Sequence, residues 1–115
     1  MNLKSKRSKA CDISPKVKMA VGERDNWLCI FCGRPGVPNM HIIPRSQGGL
    51  GIEENIACGC MNCHTAFDNG QARELYMIKA VNYMKSKYDY WSKEYVTYNK
   101  WDFLKGDLTN EKNNL

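Results

Sequence analysis

Four of the six cysteines in this 115-residue chain form two Cys-x-x-Cys pairs, and this spacing constrains the fold more than any other feature. The first pair is Cys29 and Cys32, and the second is Cys60 and Cys63, with residues 33–59 between them. Two thiolates two residues apart can bind one side of a tetrahedral ion, and a second pair completes the coordination. We therefore predict one structural Zn²⁺ that joins the two pairs. Because four thiolates leave no open position, this zinc is not expected to be catalytic.

The other two cysteines stand outside these pairs. Cys58 lies two residues before Cys60, so in a strand it would share a face with Cys60 and compete as a ligand. The alternative is a small buried thiol, which is a common environment for cysteine. Cys11 has no partner at ligand spacing, and we assign it no role.

The apolar content indicates a globular protein outside the membrane. No apolar run approaches the roughly 20 residues of a membrane span, and the N-terminus lacks the apolar core of a signal peptide. We therefore expect a cytoplasmic protein without membrane contact. In that compartment, cysteines are more often metal ligands or catalytic groups than disulfides.

Turn residues and apolar spacing predict an α+β domain. A first helix is expected over residues 13–27, with Ser14 as its N-cap and Pro15 in its first turn. The later elements are predicted as a strand at 41–43, a returning strand at 55–60, and helices that begin at 61 and at 71. In the last and longest helix, over about 71–88, the predicted core face carries Leu75, Ile78 and Val81.

The domain organisation follows from charge and composition. Residues 1–12 are predicted to be a flexible basic arm, residues 13–104 a single domain, and residues 105–115 a polar tail. The segment 89–104 is rich in aromatic residues and is expected to pack back onto the domain, with a nucleic-acid stacking surface as the alternative. The net charge of +5 is concentrated in the arm, whose first cations are Lys4, Lys6, Arg7 and Lys9. This arm is either a solvated tail or a contact for nucleic-acid phosphates.

The sequence between and beside the cysteine pairs resembles a known family. The pattern C-x-x-C, then H-I-I-P-R-S-x-G-G, then N-I, then C-x-x-C-H is similar to the HNH nuclease motif, from about Cys29 to Asp68. The resemblance implies a zinc-stapled ββα-metal core at about 29–70, flanked by N-terminal and C-terminal helices. It also implies metal-dependent hydrolysis of DNA phosphodiester bonds. The glycine-rich loop at 48–55 and the aromatic segment at 89–104 are similar to those of small phage and prophage HNH proteins. This similarity implies a bacterial host cytoplasm, and phage packaging or recombination proteins as candidate partners.

The resemblance also implies roles for individual residues. His41 matches the general base, Asn55 the residue whose amide fixes the loop, and His64 the ligand of a catalytic divalent cation. Arg45, next to the site, would bind phosphate. Each position has an ordinary alternative, because a single histidine is usually a surface or hydrogen-bonded residue and asparagine often caps a turn.

Met40 departs from the family pattern. Many members carry Asp or His before the base as a ligand of the catalytic cation, and a thioether is a poor ligand for Mg²⁺ or Mn²⁺. Asp68, four residues after His64, can replace it if the helix continues, and otherwise Asp68 ends that helix. The expected cation is then Mg²⁺, Mn²⁺ or Ni²⁺, and Met40→Asp is expected to strengthen its binding. The alternative function is a catalytically weakened, zinc-dependent DNA-binding or phage packaging adaptor.

Overall fold

A computed structural model describes residues 5–99 of the chain, which form an α+β fold as predicted. Lys4, the aromatic residues Trp101 and Phe103, and the predicted polar tail at 105–115 lie outside these residues. No helix among residues 5–99 has the length and apolar character needed to cross a membrane. The elements, in chain order, are α1 (Lys6–Cys11), α2 (Pro15–Asp25), β1 (Val37–His41), β2 (Ile56–Gly59), α3 (Met61–Asn69) and α4 (Arg73–Lys87).

Helix α2 begins and ends at residues suited to those positions. The Ser14 side chain accepts a hydrogen bond from the Val17 N–H at 3.2 Å, and Pro15 occupies the first turn. Asn26 ends the helix in the left-handed conformation, with φ of 57°. Buried Val21 then packs against Ile56 and Cys58 on one face of the sheet.

The sheet consists of two antiparallel strands. Met40 pairs with Ala57 and His41 pairs with Ile56, with an irregularity between Val37 and Met40. The predicted strand at 41–43 is therefore placed too late in the chain, because β1 ends at His41. Pro38 lies at this irregular point of β1, where its missing N–H costs no ladder bond.

The second face of the sheet carries the main core. Residues from both strands, α3, α4 and the segment after α4 are buried together; they are Met40, Ile42, Ile43, Ala57, Phe67, Ala80, Met84, Trp91 and Val96. The predicted core face of α4 is wrong for Leu75 and Ile78, which are 63% and 57% exposed. Helix α4 has apolar residues on more than one face, and Ala80 and Met84 are the ones that face the core.

A polar network fastens α2 to the loop before β2. The Arg24 guanidinium donates to the carbonyls of Glu53 and Ile56, at 2.7 Å each. Asp25 accepts hydrogen bonds from Arg24, from the Tyr83 hydroxyl and from the Cys58 N–H. Burial alone would raise the pKa of Asp25, but these donors outweigh it and hold the pKa below the usual range of a carboxyl. The carboxylate is therefore charged at neutral pH.

The N-terminal region corrects one prediction. Residues 1–12 were expected to be a flexible arm, but Lys6–Cys11 form α1, with Ser5 as its N-cap. Cys11 is 2% exposed, and the Ala10 carbonyl accepts the Gly51 N–H at 2.9 Å. A Cβ at Gly51 would collide with the Asp12 carbonyl, so glycine permits this close approach of the loop to the end of α1.

The aromatic segment packs back onto the domain, as predicted, within the residues that the structure describes. Trp91 is buried and donates from Nε1 to the Glu54 carbonyl at 2.7 Å. Two backbone hydrogen bonds fasten the glycine-rich loop to the same segment. The Leu50 N–H donates to the Val96 carbonyl, and the Tyr98 N–H donates to the Gly48 carbonyl. The loop between the strands is therefore held from both sides.

Candidate active site

The four paired cysteines meet in one cluster. The Sγ atoms of Cys29, Cys32, Cys60 and Cys63 all lie within 4.8 Å of one another. The first pair sits on a tight turn in which the Gly33 N–H donates to the Cys29 carbonyl at 2.9 Å. The second pair starts α3, where the Cys60 Sγ accepts the Cys63 N–H at 3.4 Å. That hydrogen bond lowers the pKa of Cys60 to about 7, which favours the thiolate.

The cluster fits a structural metal such as zinc. A tetrahedral ion with Zn–S bonds of about 2.3 Å separates its sulfurs by about 3.8 Å, and Cys32 and Cys60 here lie 3.6 Å apart. Cys58 is outside the cluster. It lies in β2, which ends at Gly59, and the Cys58 side chain points toward Val21 on α2. Burial raises the pKa of Cys58 to about 11, so this residue is a buried thiol and not a competing ligand.

A cavity of about 480 Å³ lies between the end of β1, the turn after it and α3. It brings together four of the residues that the sequence singled out, namely His41, Arg45, His64 and Asp68. Its other lining residues are Asn39, Pro44, Ser46, Gln47 and Arg73.

His41 is oriented by the main chain of α1. Its Nε2 lies 2.8 Å from the Cys11 carbonyl. A carbonyl oxygen only accepts hydrogen bonds, so Nε2 carries the proton and the lone pair of the neutral ring is on Nδ1. Burial lowers the pKa of His41 below its ordinary value of 6.5, and the hydrogen bond to Cys11 opposes this only in part. The ring is therefore neutral at pH 7 and available as a base at Nδ1.

Asn55 fastens the chain on both sides of the loop. Its side chain is fully buried and accepts the Ile43 N–H at 2.8 Å. Its Nδ2 donates to the Ile43 carbonyl at 3.1 Å and to the Leu50 carbonyl at 2.9 Å. Because Ile43 lies two residues after His41, these bonds fix the segment that leaves the cavity.

His64 and Asp68 meet one helical turn apart on α3. The helix continues to Asn69, so Asp68 does not end it, and His64 Nε2 lies 3.1 Å from Asp68 Oδ2. Two neighbouring ligands of an octahedral ion at about 2.1 Å are about 3.0 Å apart. At 3.1 Å the two atoms are in direct ion-pair or hydrogen-bond contact, and the same separation would suit two ligands of one divalent cation. Both side chains remain partly exposed.

Met40 takes no part in the cavity. Its side chain is 0% exposed, and its sulfur would lie 2.9 Å from a Cβ placed on Gly59. Side chains alternate along a strand, so Met40 points to the core while Asn39 and His41 reach the other side. We therefore expect the carboxylate of Met40→Asp to enter the core and not to act as a ligand in the cavity.

Arg45 and Arg73 are the cations that line the cavity, and α1 lies beside Arg45. Arg45 Nη2 lies 3.0 Å from Asp12 Oδ1 and donates to the Ser8 carbonyl at 3.3 Å. Arg7 reaches the turn after β1, where its Nη2 donates to the Ser46 carbonyl at 2.9 Å. The other described cations of the N-terminal segment, Lys6 and Lys9, are exposed on α1 and do not line the cavity.

Three contributions to the site were missed from the sequence. The Cys11 contact is made by a main-chain carbonyl, which leaves no signal in the residue type. Asn39 lies two residues before His41 and would have been found from strand alternation if β1 had been placed correctly. Arg73 comes after the end of α3 and reaches the cavity only through the packing of the two last helices.

The fold and these two centres define a class of protein. Two antiparallel strands and the helix that follows them form a small α+β domain, in which four clustered cysteines can hold a structural metal such as zinc. Residues 29–70 match the family model described as HNH endonuclease, which is the family that the motif resembles. No curated protein and no solved structure is significantly similar to the chain. This match and the cysteine cluster indicate a nuclease-type activity with a metal site.

Proposed function

We propose that this protein is a metal-dependent endonuclease that hydrolyses phosphodiester bonds of DNA. One observation carries the proposal: a single cavity is lined by His41, by Arg45, and by His64 and Asp68, whose nearest side-chain atoms are 3.1 Å apart. A base, a phosphate ligand and a cation site are the three groups that hydrolysis of a phosphodiester requires.

In this mechanism His41 acts on the attacking water. Nδ1 accepts the proton as the water oxygen bonds to phosphorus and the bond from phosphorus to the leaving oxygen breaks. The resulting imidazolium is stabilised because its Nε2–H remains bonded to the Cys11 carbonyl. The leaving oxygen is protonated from solvent. Asn55 forms hydrogen bonds to Ile43 and Leu50 and thereby keeps the Nδ1 atom of His41 in position.

Charge on the phosphate is balanced by two groups. Arg45 lines the cavity with a side chain that is 43% exposed, so its guanidinium can bind a phosphate oxygen while Nη2 stays near Asp12. His64 and Asp68 would hold a divalent cation such as Mg²⁺, Mn²⁺ or Ni²⁺. When bound, this cation supplies charge stabilisation to the phosphate and the leaving group. With only two protein ligands, the site should favour Mn²⁺ or Ni²⁺ over Mg²⁺ until DNA adds oxygen ligands.

Nicking of supercoiled plasmid tests this proposal. The zinc-loaded protein should nick DNA when Mn²⁺ is added and should be inactive without added divalent cation. His64→Ala and Asp68→Ala should both abolish nicking while DNA affinity and zinc content stay near wild type. Asp89→Ala, which removes an exposed carboxylate outside the cavity, should cut normally and serves as the matched control. Normal nicking by Asp68→Ala would rule out the proposed cation site.

Met40 supports a second candidate function, a DNA-binding adaptor without nuclease activity, such as a phage packaging protein. Its burial leaves the cavity without the ligand that family members place before the base. The same assay separates the two functions. Salt-sensitive DNA binding with no nicking under Mn²⁺, Mg²⁺ or Ni²⁺ would favour the adaptor.

A further inference from the structure

A second, smaller pocket lies beside the catalytic cavity, between α1 and the turn after β1. Its volume is about 130 Å³, and its polar lining consists of two arginines and two serines. The lining residues are Ser5, Arg7, Ser8, Cys11 and Arg45. None of these carries a negative charge. The Asp12 carboxylate contacts Arg45 Nη2 at 3.0 Å.

The two arginines are held at the walls of the pocket. Arg7 uses Nη2 to donate to the Ser46 carbonyl at 2.9 Å and, more weakly, to the Arg45 carbonyl at 3.4 Å. Arg45 uses Nη2 for the Ser8 carbonyl and for Asp12. A guanidinium has five N–H donors, so each arginine keeps further donors for a ligand. Positions fixed before binding reduce the entropy lost when an anion is bound.

The serines add hydroxyl donors. The Ser5 oxygen accepts the Ser8 N–H at 3.1 Å, which leaves the Ser5 O–H free to donate. The Ser8 oxygen lies 3.5 Å from Arg45 Nη2, at the limit of a hydrogen bond. Two guanidiniums and two hydroxyls are donors suited to a tetrahedral oxyanion, and planar guanidinium is especially suited to phosphate.

The position of the pocket identifies which phosphate it would bind. Arg45 lines both this pocket and the catalytic cavity, and Cys11, which lines the pocket, also bonds His41 through its carbonyl. Each DNA strand carries one phosphate about every 3.4 Å along the helix axis. We infer that this pocket binds the phosphate next to the scissile phosphate on the same strand, so that Arg45 lies between two successive phosphates of the substrate.

This inference rests on the proposed nuclease function and changes the expected role of the N-terminal cations. A basic arm without structure would add affinity equally at many phosphates. Arg7 is instead fixed in a pocket, so its contribution should depend on one phosphate, whereas Lys6 and Lys9 on the same helix line neither pocket. Removal of a charge-assisted contact of this kind corresponds to a loss of roughly tenfold or more in affinity.

The test measures DNA binding without added Mn²⁺, so that the duplex stays intact. Fluorescence anisotropy of a labelled duplex should show about tenfold weaker binding for Arg7→Gln. The loss of DNA affinity should be smaller for Arg7→Lys, which keeps the charge but lacks the two parallel N–H donors of the guanidinium. Lys9→Gln is the matched control, because it removes the same charge from α1 outside the pocket; its effect should be under about threefold.

A methylphosphonate scan then locates the contact. Each phosphate of the duplex is replaced in turn by a neutral methylphosphonate. At one position the replacement should weaken DNA binding by the wild-type protein and should not further weaken DNA binding by Arg7→Gln. The inference is overturned if Arg7→Gln binds as well as wild type, or if its loss is independent of every single replacement. Inorganic phosphate should bind only in the millimolar range; micromolar binding that leaves DNA affinity unchanged would identify a free-phosphate site and overturn the inference.

The scan does not depend on catalysis. If coupling to one phosphate is found and that phosphate neighbours the cut mapped with Mn²⁺, both proposals stand. If coupling is found but no cut forms under any cation, the proposed nuclease function fails while the phosphate pocket remains. If cleavage occurs but no phosphate couples to Arg7, the pocket is rejected and the nuclease function stands.

Discussion

Replacing Asn55 with alanine tests the role of its buried amide in the loop that follows His41. The side chain makes three hydrogen bonds to backbone groups of Ile43 and Leu50, at 2.8, 3.1 and 2.9 Å. Alanine leaves the Ile43 N–H without its partner, at a cost of about 1–3 kcal/mol, and removes two further bonds worth about 1 kcal/mol each. The free energy of unfolding should therefore fall by about 3–5 kcal/mol, which corresponds to a decrease in Tm of roughly 10–20 °C.

Urea denaturation of zinc-loaded protein, followed by circular dichroism, measures this loss. Asn55→Asp should be at least as destabilising, because it keeps the acceptor for Ile43 but turns a buried carboxylate oxygen toward two carbonyl oxygens. Asn82→Ala is the matched control; Asn82 is exposed on α4, so its replacement should change stability by less than about 0.5 kcal/mol.

A catalytic measurement on the same variant separates position from stability. Well below its lowered Tm, Asn55→Ala should nick DNA about 10²-fold more slowly, since a shift of about 1 Å in the reacting groups has an effect of this size. An Asn55→Ala protein that unfolds within 1 kcal/mol of wild type would refute the account of the loop.

Three further predictions follow from individual contacts. Purified protein should contain one equivalent of zinc by elemental analysis. Cys60→Ser should lose the metal and most of its thermal stability, while Cys58→Ala should keep the metal. A stable, zinc-free wild-type protein would reject the proposed zinc site. Met40→Asp should destabilise the fold by about 3 kcal/mol or more, since it buries an unpaired carboxylate. In a calorimetric titration, Met40→Asp should not improve Mn²⁺ binding, whereas Asn39→Asp should improve Mn²⁺ binding. The rate of cleavage should be level above pH 7 and fall only below pH 6.5, because His41 acts in its neutral form and burial lowers its pKa below 6.5; a rate that still rises between pH 7 and pH 9 would contradict that assignment.

Much of the metal centre was predictable because metal coordination imposes residue type and spacing. Two Cys-x-x-Cys pairs specify four ligands wherever they lie in the fold, and the structure places those four sulfurs together. The helical spacing of His64 and Asp68 similarly predicts one face, and the two side chains do meet. Such signals are local, so they survive without knowledge of the tertiary structure.

Features that depend on tertiary packing were not predictable. Residue spacing alone allowed Leu75 and Ile78 on the core face of α4, but the contact with the sheet selected another face. The structured N-terminal helix is short and highly charged, and its position depends on backbone contacts with the loop at Gly51. The partner of His41 is likewise a carbonyl whose residue type carries no information.

The most direct test of the account is the single-turnover rate of DNA cleavage by His41→Ala, measured with Mn²⁺ on an end-labelled duplex. If His41 is the base that accepts the proton from the attacking water, the rate should fall by about 10²–10⁴-fold. DNA affinity, zinc content and Tm should stay near wild type, because the side chain acts on water and is not part of the core. A His41→Ala protein that cleaves DNA at the wild-type rate would contradict the proposed active site.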